Sequence, residues 1–356
     1  LFSQIPNVIM DIKPCFMMSP LSVSVFLNAD TYTFDMVIFD EASQVCTADA
    51  VGAIMRGKQI IIVGDSKQLP PTNFFKANLN NDADDYDEDD EEFDELTADQ
   101  LSVVQNTDGA YQSILEEAMS VLHNQSLRWH YRSKHEDLIA FSNYKIYNGN
   151  LITFPSSTER SVDNGVEYIE VNGVYGTPTK RVNREEALKV ADLVFEHYRK
   201  CPVRSLGVLA NSVSQQDAIE AAVRKKRLED DSLEEYFLED RKEPFFVKNL
   251  ETVQGDERDT IIFSIGYGKD ANGRMRMNFG PLNSVDGYRR LNVAVTRAKY
   301  NIKLVGSISY TDIDVSRTAN SGVGLLRSYI EFAVNGLKSL GVDTVINYDN
   351  ECESPF

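Results

Sequence analysis

Two clusters of polar residues each stand directly behind a short apolar run. Met36-Val37-Ile38-Phe39 ends in Asp40-Glu41-Ala42-Ser43-Gln44, and Ile60-Ile61-Ile62-Val63 ends in Gly64-Asp65-Ser66-Lys67-Gln68-Leu69-Pro70-Pro71-Thr72. A carboxylate such as Asp40 can hold Mg²⁺ against the phosphates of a nucleotide, and its neighbour Glu41 can orient and deprotonate an attacking water. Gln68, in a loop stiffened by two prolines, offers a neutral amide that can report a γ-phosphate without adding charge. Taken singly, an Asp-Glu pair more often just ends a strand in solvent. The second cluster shifts the balance toward chemistry.

These residues need elements that bring them to one place. Each apolar run is short, continuous and β-branched, the pattern of a strand buried on both faces of a parallel sheet. Thr47 to Arg56 leaves room for one crossover helix, so the stretch reads as βαβ. Both clusters then lie at the carboxyl edge of the sheet, where open α/β folds bind ligands.

The length of 356 residues suggests two domains. No run of 18 apolar residues occurs, and Leu1 opens the chain without a Met or a basic, signal-like segment, as expected of a piece cut from a longer protein. Cys15, Cys46, Cys201 and Cys352 are far apart with no C-x-x-C pair, which argues against a zinc site or a disulfide framework and for a reducing cytoplasm. The net charge is −19, but Ala77 to Leu127 holds 15 acidic residues and no Lys or Arg. Removing those 15 charges leaves −4 for the rest, so a local basic groove is allowed.

Along the chain, Cys15 to Ser24 reads as a strand and a Ser-Pro turn into a short helix. Hydroxyls at such a helix start can meet a nucleic-acid phosphate, although a plain N-cap is the commoner explanation. Residues 78–106 form a low-complexity acidic insertion, expected to be a mobile loop, which is more often a solvated loop without a role than a polyanion competing with a phosphate backbone for basic side chains. Asp108 is expected to cap a helix carrying Tyr111, Ile114, Leu115, Ala118, Met119 and Leu122 on one face. Ser126 to Ser133 packs two arginines and two aromatics into eight residues, able to present Tyr131 to a base and Arg132 to a phosphate.

A helix at 134–146 and a strand at 166–171 follow, then a helix opened by a capping box of Asn183 and Glu186, a strand at 206–210 and a helix with a basic tail. This is a second α/β layer. Gln254-Gly255 reads as a tight turn before the buried strand Ile261 to Ile265. Arg289 to Lys299 has helical spacing, with Arg290, Val293 and Arg297 able to share a face.

In this order the pieces resemble the motif series of superfamily 1 helicases, in the 5′ to 3′ branch of the nonsense-mediated-decay helicase and senataxin, closest to large bacterial members. Residues 15–24 match the nucleic-acid motif of the first motor domain, and 40–43 (DEAS) look like motif II. Residues 64–72 (GDSKQLPPT) look like motif III and 127–133 (LRWHYRS) like motif IV. Residues 252–259 (TVQGDERD) are similar to motif V and 291–299 (LNVAVTRAK) to motif VI. The likeness covers nearly the whole chain.

The resemblance implies a fold of α/β class: RecA-like P-loop NTPase domains with mainly parallel sheets, the first incomplete at 1–125 and the second at 126–356. It implies ATP and Mg²⁺ as cofactors and single-stranded nucleic acid as partner, DNA ahead of RNA, with no membrane. By the same resemblance Asp40 ligates Mg²⁺, Glu41 is the general base, Gln68 senses the γ-phosphate, Tyr131 stacks near the adenine, and Arg132 and Arg297 are arginine fingers. Gly255 and Glu257 would contact the nucleotide, and Ser19, Thr72, Thr252 and Gln254 the nucleic-acid strand.

Two departures stand out. Ala210-Asn211 replaces a Pro-Tyr pair usual in the family, and no G-x-x-x-x-G-K-[ST] occurs anywhere. The expectation is therefore the C-terminal part of an ATP-dependent helicase motor, inactive alone, whose P-loop lies upstream in the same polypeptide. The competing expectation is an ATP-independent nucleic-acid or protein-binding scaffold.

Overall fold

The computed structural model describes residues 4–71, 111–155, 163–177, 180–318 and 320–341. Two compact units divide the chain, Leu1–Ser126 and Leu127–Phe356. Thr72, Asp108 and the acidic insertion 78–106 lie outside the described residues.

The first unit runs α1 (Pro6–Ile12), α2 (Pro20–Phe26), β1 (Phe34–Phe39), α3 (Thr47–Ile54), β2 (Gly57–Ile62) and α4 (Ile114–Val121). β1 and β2 pair in parallel, Phe34 opposite Gly57 and Phe39 opposite Ile62, with α3 as the crossover. Val37, Phe39, Ile60 and Ile62 pack with Ala50 and Ala53 of α3 and Ile114 and Leu115 of α4. Their alternates Met36, Ile38, Ile61 and Val63 are exposed, Ile38 to 61%. The expectation of strands buried on both faces fails here, because among the described residues helices cover one face only.

Two further expectations are corrected in this unit. Residues 13–19 form no strand. The described residues offer them no ladder beyond β1–β2, and Phe16 instead lies edge-on to Tyr32 and Phe34 at 6.0 and 5.4 Å. The cap of α4 is Ser113, whose Oγ accepts the Glu116 amide at 3.3 Å. Met119 and Leu122 point outward, leaving Ile114, Leu115 and Ala118 as the buried face.

The second unit contains α5 (Asp137–Lys145), β3 (Gly165–Glu170), β4 (Tyr175–Thr177), β5 (Lys180–Asn183), α6 (Arg184–Lys200), β6 (Leu206–Ala210) and α7 (Val213–Glu229). It continues with β7 (Phe246–Asn249), β8 (Arg258–Ser264), α8 (Gly287–Val295), β9 (Ala298–Gly306) and α9 (Ser321–Asn335). Five strands make one wholly parallel sheet in the order β3-β9-β8-β6-β7, as the α/β reading expects. β4 and β5 form a separate antiparallel pair.

Successive residues of β6 and, from Thr260 on, of β8 are all but inaccessible, so this sheet is covered on both faces. α6 and α7 close one face around Val190, Val194, Phe195, Ile219, Val208 and Ile262. α5, α8 and α9 pack with one another and against β3 and β9, with the Phe141 and Tyr329 rings 4.9 Å apart.

Candidate functional site

In the first unit, Asp40 and Glu41 follow β1 directly. Val63 N donates to Phe39 O at 2.8 Å and Ala42 N to Val63 O at 2.9 Å, so the two strand ends are stitched together and the two polar clusters become neighbours. Gly64 lies in this seam. A Cβ there would come within 3.1 Å of the Ala42 and Ser43 amides. Glu41 takes the left-handed backbone conformation at φ 50°, shared by only one other non-glycine residue among those described, Asn148. Such conformations cost about 1–3 kcal/mol and concentrate at functional sites.

Asp40 is exposed, and its Oδ1 accepts the Glu41 amide at 2.9 Å. Gln68 is half-buried, and its Nε2 donates to Asp65 Oδ2 at 3.1 Å, while Asp65 Oδ1 accepts the Lys67 amide. The amide expected to sense a phosphate is thus oriented by Asp65, a residue that sequence reasoning did not assign. Its position three residues before Gln68, in a turn, was the available signal. Among the described residues no group of three His, Cys, Asp or Glu is placed to hold a metal ion. A single exposed carboxylate such as Asp40 can hold a divalent ion only together with oxygens from elsewhere, such as nucleotide phosphates. Ser19 is an exposed N-cap, its Oγ accepting the Ser22 amide at 3.2 Å and donating to Ser22 Oγ at 2.9 Å. That is the plain capping role.

In the second unit the candidate nucleotide residues collect at the amino edge of the sheet, where Arg258 N donates to Arg297 O and Lys134 N to Lys299 O. Arg132 Nε lies 2.7 Å from Glu257 Oε2, and Lys299 Nζ bridges Glu257 Oε1 at 3.2 Å and Glu243 Oε1 at 2.8 Å. Ser205 Oγ donates to Glu243 as well. Burial works to raise the Glu257 carboxyl, but hydrogen bonds from Arg132 and Lys299 outweigh it and hold the group below the ordinary carboxylate range. His130 ties down the same turn. Its Nε2 accepts the Ser133 amide at 3.1 Å, and burial, aided by the Arg132 charge, pushes the ring down to about 4. A neutral imidazole therefore braces the turn that carries Arg132. Tyr131, between them, is 80% exposed and available for stacking.

The helix expected to run through Lys299 stops at Val295. Thr296 Oγ1 donates to the Asn292 and Val293 carbonyls at 2.8 and 3.2 Å, ending the helix before the strand-forming run that follows. Arg297 is consequently off the helix. Its Nε donates to Val293 O at 2.9 Å and the residue is 2% exposed, so it is packed into the fold and not offered at a helix edge. Arg290 is on α8, paired with Glu251 and donating from its guanidinium to Ser284 Oγ at 2.8 Å.

Thr252 and Gln254 follow the carboxyl end of β7. Asn249 Oδ1 accepts the Glu251 and Thr252 amides there, and Thr252 is exposed. Gly255 has φ 91°, a conformation that glycine adopts without strain. Asn211 is fully buried, and neither amide atom has a partner among the described residues. The Asn183 cap forms, accepting the Glu186 amide at 3.1 Å, but its return arm differs from a capping box. Glu186 takes the Asn183 side chain at 2.9 Å, while the Asn183 backbone amide donates to Gln215 Oε1 at 2.9 Å.

A family model described as an AAA domain matches residues 110–309, and a second of the same description matches residues 19–76. An uncharacterized ATP-dependent helicase of Mycoplasma pneumoniae is 34% identical over 325 residues, covering 87% of this chain and 27% of that protein. One from Mycoplasma genitalium is 33% identical over 346 residues, covering 90% of this chain and 28% of that protein. The probable helicase senataxin of Mus musculus is 27% identical over 297 residues, covering 80% of this chain and 10% of that protein. The chain thus spans little more than a quarter of its two mycoplasma relatives. Among the described residues no helix is long and apolar enough to cross a membrane.

Proposed function

The chain belongs to the superfamily 1 helicases of the senataxin and nonsense-mediated-decay type, and from that premise we propose that it is the C-terminal part of a cytoplasmic, ATP-driven motor moving 5′ to 3′ on single-stranded nucleic acid, DNA ahead of RNA. Residues 1–125 and 126–356 serve as its two motor domains. The phosphate cradle comes from an upstream part of the same polypeptide, because the 356 residues contain no glycine phosphate loop. The observation that carries the reading is the stitched pair of strand ends, with Asp40 at the tip of β1, Glu41 in a left-handed conformation and Gly64 close against the Ala42 and Ser43 amides.

Bound Mg²⁺ would neutralise phosphate charge and steady the leaving group. Asp40 would hold the ion, Glu41 would take the proton of the attacking water, and Gln68, set by Asp65, would report the γ-phosphate. Tyr131 stacks on the adenine, Gly255 and Glu257 line the nucleotide, and Arg132 and Arg297 meet the charge that develops on the transferring phosphoryl group. Ser19, Thr72, Thr252 and Gln254 touch the strand. For Arg132 this means leaving the Glu257 carboxylate for a phosphate.

The test is ATP hydrolysis by the whole protein on matched DNA and RNA single strands, with duplex displacement from 5′ and 3′ tails. Strand-stimulated hydrolysis that disappears in Glu41→Gln, with residues 1–356 alone turning over negligible ATP, is the expected result. No stimulation by either strand would return the chain to the scaffold reading.

A further inference from the structure

At the carboxyl edge of the five-stranded sheet, two strands away from the end of β7, the surface turns basic. The chain leaving β8 makes a tight hairpin in which Lys269 and Met275 bridge antiparallel, Asp270 N donates to Arg274 O and Gly273 has φ 74°. The chain leaving β9 returns through a short turn at Val315–Arg317. Between them lies a groove of about 540 Å³ lined by Asp270, Arg274, Met275, Arg276, Met277 and Arg317.

The three arginines are exposed, and none makes an ion pair among the described residues. The acids nearby bind backbone and one lysine, and the Arg274 and Arg276 charges also act on Asp270 and that of Arg317 on Asp314. Asp270 Oδ1 accepts the Asn272 and Arg274 amides, both at 2.9 Å, and Asp314 Oδ1 accepts the Ser316 amide at 3.0 Å. Asp312 pairs with Lys269 at 2.7 Å. The groove continues onto β4, since Tyr175 N donates to Lys269 O at 2.9 Å. There the half-buried Tyr175 ring lies 5.1 Å from Tyr267, with the Arg181 and Arg276 charges acting on its phenol. Four arginines around an aromatic ring, with Asp270 and Asp314 the acids whose charges reach them, leave this groove net positive in a chain of net charge −19, as a polyanion would require. Basic side chains beside stacking rings are how single strands are held without sequence preference.

We propose that Arg274, Arg276, Arg317 and Arg181, with Tyr175, form a second contact for the phosphate backbone of a single strand, continuing the track that begins at Thr252 and Gln254. The inference rests on the helicase reading. Sheet order puts β6 and β8 between β7 and β9, and at about 4.8 Å per strand the ends of β7 and β9 are roughly 14 Å apart. A strand lying along that edge would meet both. The Arg132–Glu257 cluster is at the opposite edge, a strand length of seven residues away, so the groove is a separate site from the nucleotide residues.

The test is a salt titration of the whole protein binding a fluorescent 20-mer of deoxythymidine or uridine, for the parent and for Arg274→Ala/Arg276→Ala/Arg317→Ala. Each single-strand phosphate contact contributes about 0.7 to the slope of log affinity against log salt. The triple variant should therefore lose about 2 from that slope and bind about ten- to a hundredfold more weakly at low salt. The same residues changed to Lys should restore most of the slope, while Lys200→Ala/Arg224→Ala/Lys225→Ala should keep it. An unchanged slope in a triple variant with parental circular dichroism would overturn the proposal, even if poly-glutamate binding were lost and the groove passed to an acidic peptide. A parent that binds neither strand at any salt would instead sink the helicase reading beneath it.

Discussion

Arg132 Nε and Glu257 Oε2 lie 2.7 Å apart across 125 positions of sequence. Glu257 is also held by Lys299, so the guanidinium rests on a carboxylate that is itself neutralised from the other side. A phosphate can take Arg132 from such a site without stranding an uncompensated acid. In the whole protein, Arg132→Ala should lower strand-stimulated kcat about 10³–10⁵-fold, or roughly 4–7 kcal/mol. Arg224→Ala, on the surface, should change it less than about twofold. Steady-state turnover at saturating ATP decides the matter, and a near-parental rate would leave Arg132 as a structural ion pair.

Arg297 combines burial with its proposed role as a finger, so its removal acts twice. Arg297→Ala should lower the unfolding free energy by about 1–3 kcal/mol, because a side chain 2% exposed and its buried hydrogen bond to Val293 O are lost from the packed interior, and abolish turnover besides. Denaturant unfolding and kcat together separate the effects. Lost stability with normal turnover per folded molecule would remove Arg297 from the catalytic residues.

Glu41 carries the strain of a left-handed backbone at φ 50° and ψ 39°. Glu41→Gly should raise stability by about 1 kcal/mol, since glycine accepts that conformation without penalty, while hydrolysis falls about 10²–10⁴-fold as a general base is lost. Glu41→Gln keeps the strain and loses the rate. A glycine variant no more stable than the parent, by denaturant unfolding, would show that the conformation costs nothing.

Glu186 is fully buried and meets the Asn183 amide, Ser264 Oγ and Gly266 N at 2.9, 2.9 and 2.7 Å, with no Lys or Arg paired to it among the described residues. Burial pushes its carboxyl up to about 7, against the hydrogen bonds from Gly266 and Ser264. Between an unfolded value near 4.5 and that folded value the native state binds the extra proton, so stability falls as pH rises through this window. The loss should amount to about 3 kcal/mol by pH 8. Glu186→Gln, which keeps the shape without the charge, should flatten the profile of unfolding free energy between pH 5 and 8. A parental slope in that variant would assign the pH dependence to another group.

The parts of this fold that sequence could show were those with local causes. The β-branched runs before Asp40 and Gly64 and the strand at 206–210 form where their composition puts them, and Ser19 and Asn183 cap the helices they precede. What sequence could not show depended on partners elsewhere. Helical spacing from Arg289 to Lys299 was real, yet the β propensity of the next residues and the Thr296 hydroxyl stopped the helix at Val295. Continuous apolar runs in β1 and β2 do not by themselves say whether a second layer lies over them. Glu257 and Glu243 were ordinary acids until the fold set Lys299 between them.

β8 joins two of these regions and is itself rigid. Glu257 stands just before it, Gly266 two residues past its end, and its seven residues, hydrogen-bonded to β6 and β9, span about 23 Å. A buried strand clamped on both sides has no soft torsion in which to dissipate a push. Movement forced on Glu257 along the strand axis is therefore carried to the end of β8, and Gly266 and Gly268 are the places where it can be absorbed before the Lys269–Met275 hairpin. The strand acts as a connecting rod, and the stroke at one end is limited by the stroke at the other.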